Sequence, residues 1–269
     1  MLTDTALDVA AADDWPGPVE VLNEAGASPV VLLCEHASNH MPAEFARLGL
    51  PPAELERHIA WDIGAAAVTR RLADLIDAPA FLGTYSRLLI DLNRPTTAAS
   101  CIPARSEATD VPGNIGLDPA ERQRRIDRIF TPYHARVAAH LDARAAAGRP
   151  TTLVTIHSFT PVFLGVSRPW HVGILFDRSR AFGEALVARL AQDSALVVGA
   201  NEPYVIYREE DYAVPVHGED RGHDAVLVEI RNDLIAAAPG PDAWAERLAT
   251  VIADVVDGAG RTRAPGGSE

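Results

Sequence analysis

Short apolar stretches that are hydrophobic on both faces recur along this chain, with helical patterns between them. "PVVLLCEH" (29–36), "TTLVTIHSF" (151–159), "HVGILFD" (171–177), "ALVVGAN" (195–201) and "DAVLVEIRN" (224–232) read as strands. "APAFLGTYS" (78–86) and "RLLIDLN" (87–93) read as strand or extended chain. Helical patterns occupy 65–76, 118–147, 179–193 and 241–257. The 118–147 segment opens with Asp118 as N-cap, Pro119 in the first turn and Glu121 as a capping-box partner. A strand apolar on both sides must be covered on both sides. The pattern therefore predicts a single three-layer α/β domain, with a mostly parallel or mixed sheet and helices on each face.

The 269 residues suffice for one sizeable core. The expected division is a flexible N-terminal segment (1–20), a catalytic domain (21–257) and a disordered tail (258–269). With 37 acidic against 24 basic residues the net charge is −13, which argues against nucleic acid as a partner. Two cysteines, Cys34 and Cys101, give no disulfide framework. No apolar run reaches the roughly 18 residues of a membrane span, and the N-terminus lacks signal-peptide features. A cytoplasmic protein is expected, with no membrane partner; assembly into homo-oligomers is left open.

In parallel sheets the ligand site lies at the carboxyl ends of the strands. The residues that end each apolar run are therefore informative. The first strand leads into Glu35, His36, Asn39 and His40, and a later segment carries Arg87, Asp91, Asn93 and Arg94. "TLVTIHS" ends on His157 and Ser158, and "VLVEIRN" on Glu229 and Arg231. "HIAWDIG" adds His58 and Asp62 before a helix. Two histidines and a carboxylate make a common catalytic zinc ligand set, and a free carboxylate beside it can shuttle a proton. Structural readings stand beside this one. His157 taken singly suits a hydrogen-bonding role, Asp62 a helix N-cap, "DLNRP" a polar turn, and Glu229 a pair with Arg231. His40, His58, His171, His217 and His223 read as structural. "VHGEDRGHD" (216–224) reads as a loop over the site, and "NEPY" (201–204) as part of its lining.

Taken in order, "CEHASNHMP", "HIAWDIGA", "YSRLLIDLNRP", "NEPY" and "VLVEIRNDLI" resemble the N-formylglutamate amidohydrolase family over nearly the whole chain. That family is similar in turn to the zinc carboxypeptidase and aspartoacylase superfamily. The resemblance implies a zinc-dependent amidohydrolase with one Zn²⁺ per chain, acting on a small anionic N-acyl amino acid, N-formyl-L-glutamate above all. It implies His36 and His157 as metal ligands and Glu229 as general base and acid. Arg87 would polarise the scissile carbonyl, and Asn93 and Arg94 would grip a carboxylate. Ser158 and Arg231, beside these groups, are expected on the substrate. The superfamily's His-x-x-Glu ligand motif is replaced by His36-Ala37-Ser38-Asn39. Another carboxylate must complete the metal site, and Asp62 is the choice over Glu35. A different deacylase or carboxypeptidase activity, and a binding module without metal, are the alternatives.

Overall fold

The computed structural model describes residues 15–263. A seven-stranded mixed sheet forms its centre. In chain order the strands are β1 (Val19–Leu22), β2 (Val30–Cys34), β3 (Ala80–Gly83), β4 (Thr152–Phe159), β5 (Val172–Leu175), β6 (Val198–Ala200) and β7 (Asp224–Arg231). Their spatial order is β1-β3-β2-β4-β7-β5-β6. The central strands β3, β2, β4 and β7 run parallel, so their carboxyl ends share one edge. β1 pairs antiparallel with β3, and β5 antiparallel with β7. The longer helices are α1 (Ala65–Leu75), α2 (Pro119–Arg125), α3 (Thr131–Ala146), α4 (Arg180–Leu190) and α5 (Gly240–Arg263), with a π-type turn, Ile126–Phe130, joining α2 to α3.

Alternation along β2 shows how the layers form. Val30, Leu32 and Cys34 pack into one core with α1, α4 and α5. Val31 and Leu33 pack into the other with Ile129, Phe130, Tyr133, Val137 and Leu141. All five residues are buried, so β2 has no polar face, as its sequence requires. Cys34 and Cys101 are free and buried. No described helix is long and apolar enough to cross a membrane.

Several expectations are corrected. Residues 87–93 are not a strand: Leu89 N–H donates to Ser86 O and Asp91 N–H to Cys101 O, a buried chain of turns. An apolar run alone does not distinguish a ladder from a packed loop. Glu121 does not reach back to its cap; it pairs with Arg124 and Arg125, while Asp118 accepts from Ala120 N–H at 2.8 Å. Of the segment expected to be flexible, residues 1–14 lie outside the described residues. Trp15, by contrast, packs edge-on against Phe45 and at a tilt against Tyr85, and β1 begins at Val19. At the other end α5 continues past 257 to Arg263, and residues 264–269 lie outside the described residues. The 216–224 segment is no loop over the site. His217 and Gly218 are buried in the helical turn Ala213–Gly218, packed against β4 and β7.

His217 meets His134 of α3 there, with Nε2 and Nδ1 2.8 Å apart. One ring donates and the other accepts, so the accepting ring is neutral. Burial holds His134 well below the usual histidine range and lowers His217 to about 4, with Arg221 assisting and Glu35 opposing. The unfolded chain therefore binds more protons between roughly pH 6.5 and 4, and stability falls as pH drops through that window. His217 should account for about 3 kcal/mol of that fall. Urea denaturation at pH 7 and pH 4.5 should show a weaker pH dependence for His217→Gln than for the unsubstituted chain. Parallel dependences would contradict the neutral pair.

Candidate metal centre and active site

The turn after β2 carries Glu35 and His36 to the sheet edge, and β4 delivers His157 to the same edge. Asp62 arrives on the loop before α1. Its N–H donates to His36 O at 2.9 Å, fixing the loop to the strand end. Gly64, at φ +82°, then turns the chain into α1. A side chain there would strike Ile235 O, so the tight approach requires glycine. Gly64 is the cap residue of this helix, which leaves the Asp62 carboxylate free for other work.

That carboxylate faces both imidazoles. Asp62 Oδ2 lies 2.8 Å from His157 Nδ1 and 3.3 Å from His36 Nδ1, and also accepts the Ser158 N–H at 3.2 Å. The far nitrogens are held by other carboxylates: His157 Nε2 by Glu35 at 2.9 Å and His36 Nε2 by Asp91 at 2.7 Å. Glu35 also accepts from Thr155 Oγ1 at 2.6 Å. When Glu35 and Asp91 accept from the Nε2 hydrogens, both Nδ1 atoms are left with their lone pairs facing the same point. One donor atom each from His36, Asp62 and His157 lies within 4.8 Å of the others. Charge agrees with the geometry. Glu35, Asp62 and Asp91 are all buried, and Arg87 pairs with Asp62 and Asp91 only, so one divalent cation would balance the remaining negative charge of the group with both rings neutral. The residues fit a zinc-type site: three converging donors, each supported from behind.

The titrations follow from these contacts. Burial would raise Asp62, but His36 and His157 hold it far below the usual carboxylate range. Burial likewise opposes ionisation of Asp91, and Arg87 and His36 overcome it. His157 would be lowered by burial, yet Asp62 and Glu35 raise it well above the usual histidine value. Glu229 is the exception. Burial raises it to about 7, with His157 opposing and Asp62 assisting. It stands level with His157 in the β7–β4 register, and its buried Oε2 has no partner among the described residues. Facing a cavity and poised near neutrality, it suits proton transfer.

The cavity measures about 660 Å³. His36, Asp62, Arg87, Asn93, Arg94, His157, Ser158 and Glu229 line it, together with apolar residues such as Ile59, Phe163, Leu175 and Leu227 and further polar ones such as Glu107, Glu202 and Asp211. Arg87 donates to Asp91 at 2.6 and 3.0 Å, which fixes its guanidinium at the wall. Asn93 Oδ1 accepts from Ala213 N–H at 2.9 Å, leaving its amide N–H groups without a protein acceptor among the described residues. One nitrogen of Arg94 is committed to Glu210 O and Asp211, both at 2.6 Å. Ser158 Oγ donates to Ile63 O at 2.9 Å.

Some expected residues lie elsewhere. Arg231 does not reach the cavity. Its guanidinium pairs with Asp233 at 2.8 Å, because at the end of β7 it comes two residues after Glu229 and leaves the sheet edge. Asn39 donates to Leu55 O at 2.9 Å and is a loop clamp. Glu35 supports His157 rather than joining the ligand set. His58, read as structural, lines the cavity. His171 is structural, its Nδ1 accepting Val197 N–H at 2.8 Å. The supporting role of Asp91 is not evident from spacing, although a lone carboxylate inside "LLIDL" is a usable signal, since burial demands a partner.

Residues 28–236 match the family model described as N-formylglutamate amidohydrolase. Among solved structures, a gene product from Agrobacterium tumefaciens is 38% identical, with a TM-score of 0.89 over 92% of this chain and 98% of its own. An N-formylglutamate amidohydrolase from Ralstonia eutropha JMP134 is 18% identical, with a TM-score of 0.74 over 92% of this chain and all of its own, a likeness of fold. No curated protein matches the chain.

Asp62→Asn, which keeps the side-chain volume, should abolish stoichiometric zinc binding. Glu35→Gln should weaken it about 10- to 100-fold through His157. Calorimetric titration of the chelator-treated protein measures both. Unaltered affinity in Asp62→Asn would remove Asp62 from the ligand set.

Proposed function

Because this chain belongs to the N-formylglutamate amidohydrolase family, and so is an amidohydrolase, we propose that it cleaves a small anionic N-acyl amino acid with the help of one zinc ion. N-formyl-L-glutamate, giving formate and glutamate, is the substrate best supported by the family. The observation that carries the reading is the pairing of two unlike groups at one cavity: a converging His36–Asp62–His157 donor set and, level with it, the unpartnered carboxylate of Glu229.

His36 Nδ1, His157 Nδ1 and Asp62 would hold the ion. When bound, zinc supplies a water acidified from a pKa of 15.7 to about 7 and a Lewis acid for the carbonyl. Glu229 takes the proton of the attacking water through its free Oε2 and returns it to the leaving nitrogen as the C–N bond breaks. Arg87, held by Asp91, presents positive charge to the carbonyl oxygen as it gains electron density. The amide of Asn93 and the uncommitted edge of Arg94 receive the substrate carboxylate. Ser158 supports the site through its N–H to Asp62.

A second reading concerns the acyl group. The cavity is of a size that takes drug-sized ligands, and Ile59, Phe163, Leu175, Val205 and Leu227 are among its lining residues. That favours a deacylase accepting a larger acyl chain at the same polar end. A panel of N-acyl glutamates and aspartates of increasing acyl length separates the two: the formyl compound should have the highest kcat/KM under the first reading and a longer homologue under the second.

Glu229→Gln should fold and bind zinc normally while kcat falls at least 10³-fold, about 4 kcal/mol of transition-state stabilisation. Turnover near that of the unsubstituted enzyme would take Glu229 out of the mechanism.

A further inference from the structure

The "NEPY" segment approaches Glu229 from the opposite side of the sheet edge to Arg87's loop. β5 runs beside β7 with Gly173 directly opposite Glu229. A Cβ on Gly173 would lie 1.7 Å from Glu202 O, so the segment rests on bare backbone at the level of the general base. Asn201, at φ +54°, anchors the turn: its N–H donates to Ile174 O at 2.9 Å, and its Oδ1 accepts Phe176 N–H at 2.8 Å. Tyr204 is thereby set on the cavity wall.

Behind Tyr204 stands Arg168, nine-tenths buried, with Nη1 2.8 Å from the phenol oxygen. Its guanidinium lies 4.4 Å from the Phe163 ring centre and 4.7 Å from that of Tyr204. No carboxylate pairs with it among the described residues. Arginine only donates, so the Tyr204 oxygen must accept this hydrogen bond. The phenol's own hydrogen has no protein acceptor among the described residues, and Tyr204, 40% exposed, lines the cavity. Burial and the charge of Glu229 hold the phenol above its usual pKa, so that hydrogen is retained at neutral pH.

We propose that Tyr204 is a catalytic residue, donating its hydroxyl hydrogen to the oxygen that gains negative charge in the tetrahedral transition state, and that Arg168 is the positioning residue that orients it. This rests on the amidohydrolase reading above. An O–H whose oxygen already accepts from a cation is a stronger donor. It costs no reorganisation, because the oxygen cannot turn away without losing Arg168.

The test compares Tyr204→Phe, Arg168→Met, Arg168→Lys and the double variant Tyr204→Phe/Arg168→Met on the best substrate of the panel, with Glu229→Gln alongside. Tyr204→Phe should lower kcat about 100-fold with KM within about threefold. Arg168→Met should lower kcat by a smaller factor, Arg168→Lys should restore most of it, and the double variant should be no worse than Tyr204→Phe. Calorimetry with N-phosphoryl-L-glutamate, a tetrahedral mimic, should show a matching loss of affinity in Tyr204→Phe, with glutamate affinity unchanged. Wild-type kcat in Tyr204→Phe, or a rise in KM alone, would overturn the assignment. If Glu229→Gln is inactive while Tyr204→Phe is not, only the tyrosine's role fails. If Glu229→Gln stays active, the hydrolytic mechanism fails and this proposal with it.

Discussion

Three carboxylates removed from solvent at one sheet edge govern everything around them. Glu35, Asp62 and Asp91 are each 2% exposed or less. An ionised carboxylate without a partner at such a place costs many kcal/mol, so each must be met by a donor or a cation. Arg87 meets two of them and the imidazoles meet all three. The same demand fixes the rings. With Glu35 and Asp91 on the Nε2 atoms, both Nδ1 atoms turn to the Asp62 side, so a metal ion would meet rings already oriented. A preformed donor set avoids the ordering cost that a flexible one would meet on binding.

The sheet supplies the positions. Parallel β2, β4 and β7 finish together, so residues distant in sequence come level: Glu229 beside His157 in register, and Glu35 within reach of both Thr155 and His157. Their interiors are mostly apolar and buried on both faces, and charged side chains and imidazoles enter at the edge. Glu229 differs from the other carboxylates by having no cation in contact with Oε2, which is why burial raises its pKa without being overcome. Environment alone divides these four buried carboxylates into one with a raised pKa and three that hold charge. The antiparallel β5 then brings Gly173 opposite Glu229 and lets the 201–204 segment close the cavity's remaining side.

Much of this arrangement is legible in the sequence because burial leaves a compositional trace. Strands apolar on both faces require a covered sheet, and histidines and a glutamate at their ends mark its functional edge. The choice of Asp62 is legible because a helix start with "WDIG" places an acid where the His-x-x-Glu motif lacks one. Pairing is not legible in the same way. "RLLIDLN" has the hydrophobicity of a strand, but its backbone hydrogen bonds go to turns, a matter of tertiary partners. Arg231 is expected at the site on proximity to Glu229, yet the end of the strand turns it toward Asp233. The 216–224 segment looks like a polar loop because its buried histidine satisfies itself against His134, 83 residues away. The contacts of Asp91 with His36 and of Arg168 with Tyr204 are encoded by no local spacing.

Anomalous diffraction at the zinc edge, from crystals of the zinc-loaded protein, tests the central claim most directly. The account predicts one strong peak per chain about 2.0–2.2 Å from His36 Nδ1, His157 Nδ1 and an Asp62 oxygen, with Glu35 and Asp91 still on the Nε2 atoms. A peak bonded to Nε2 of either ring, or one that leaves Asp62 outside the ligand set, would contradict it.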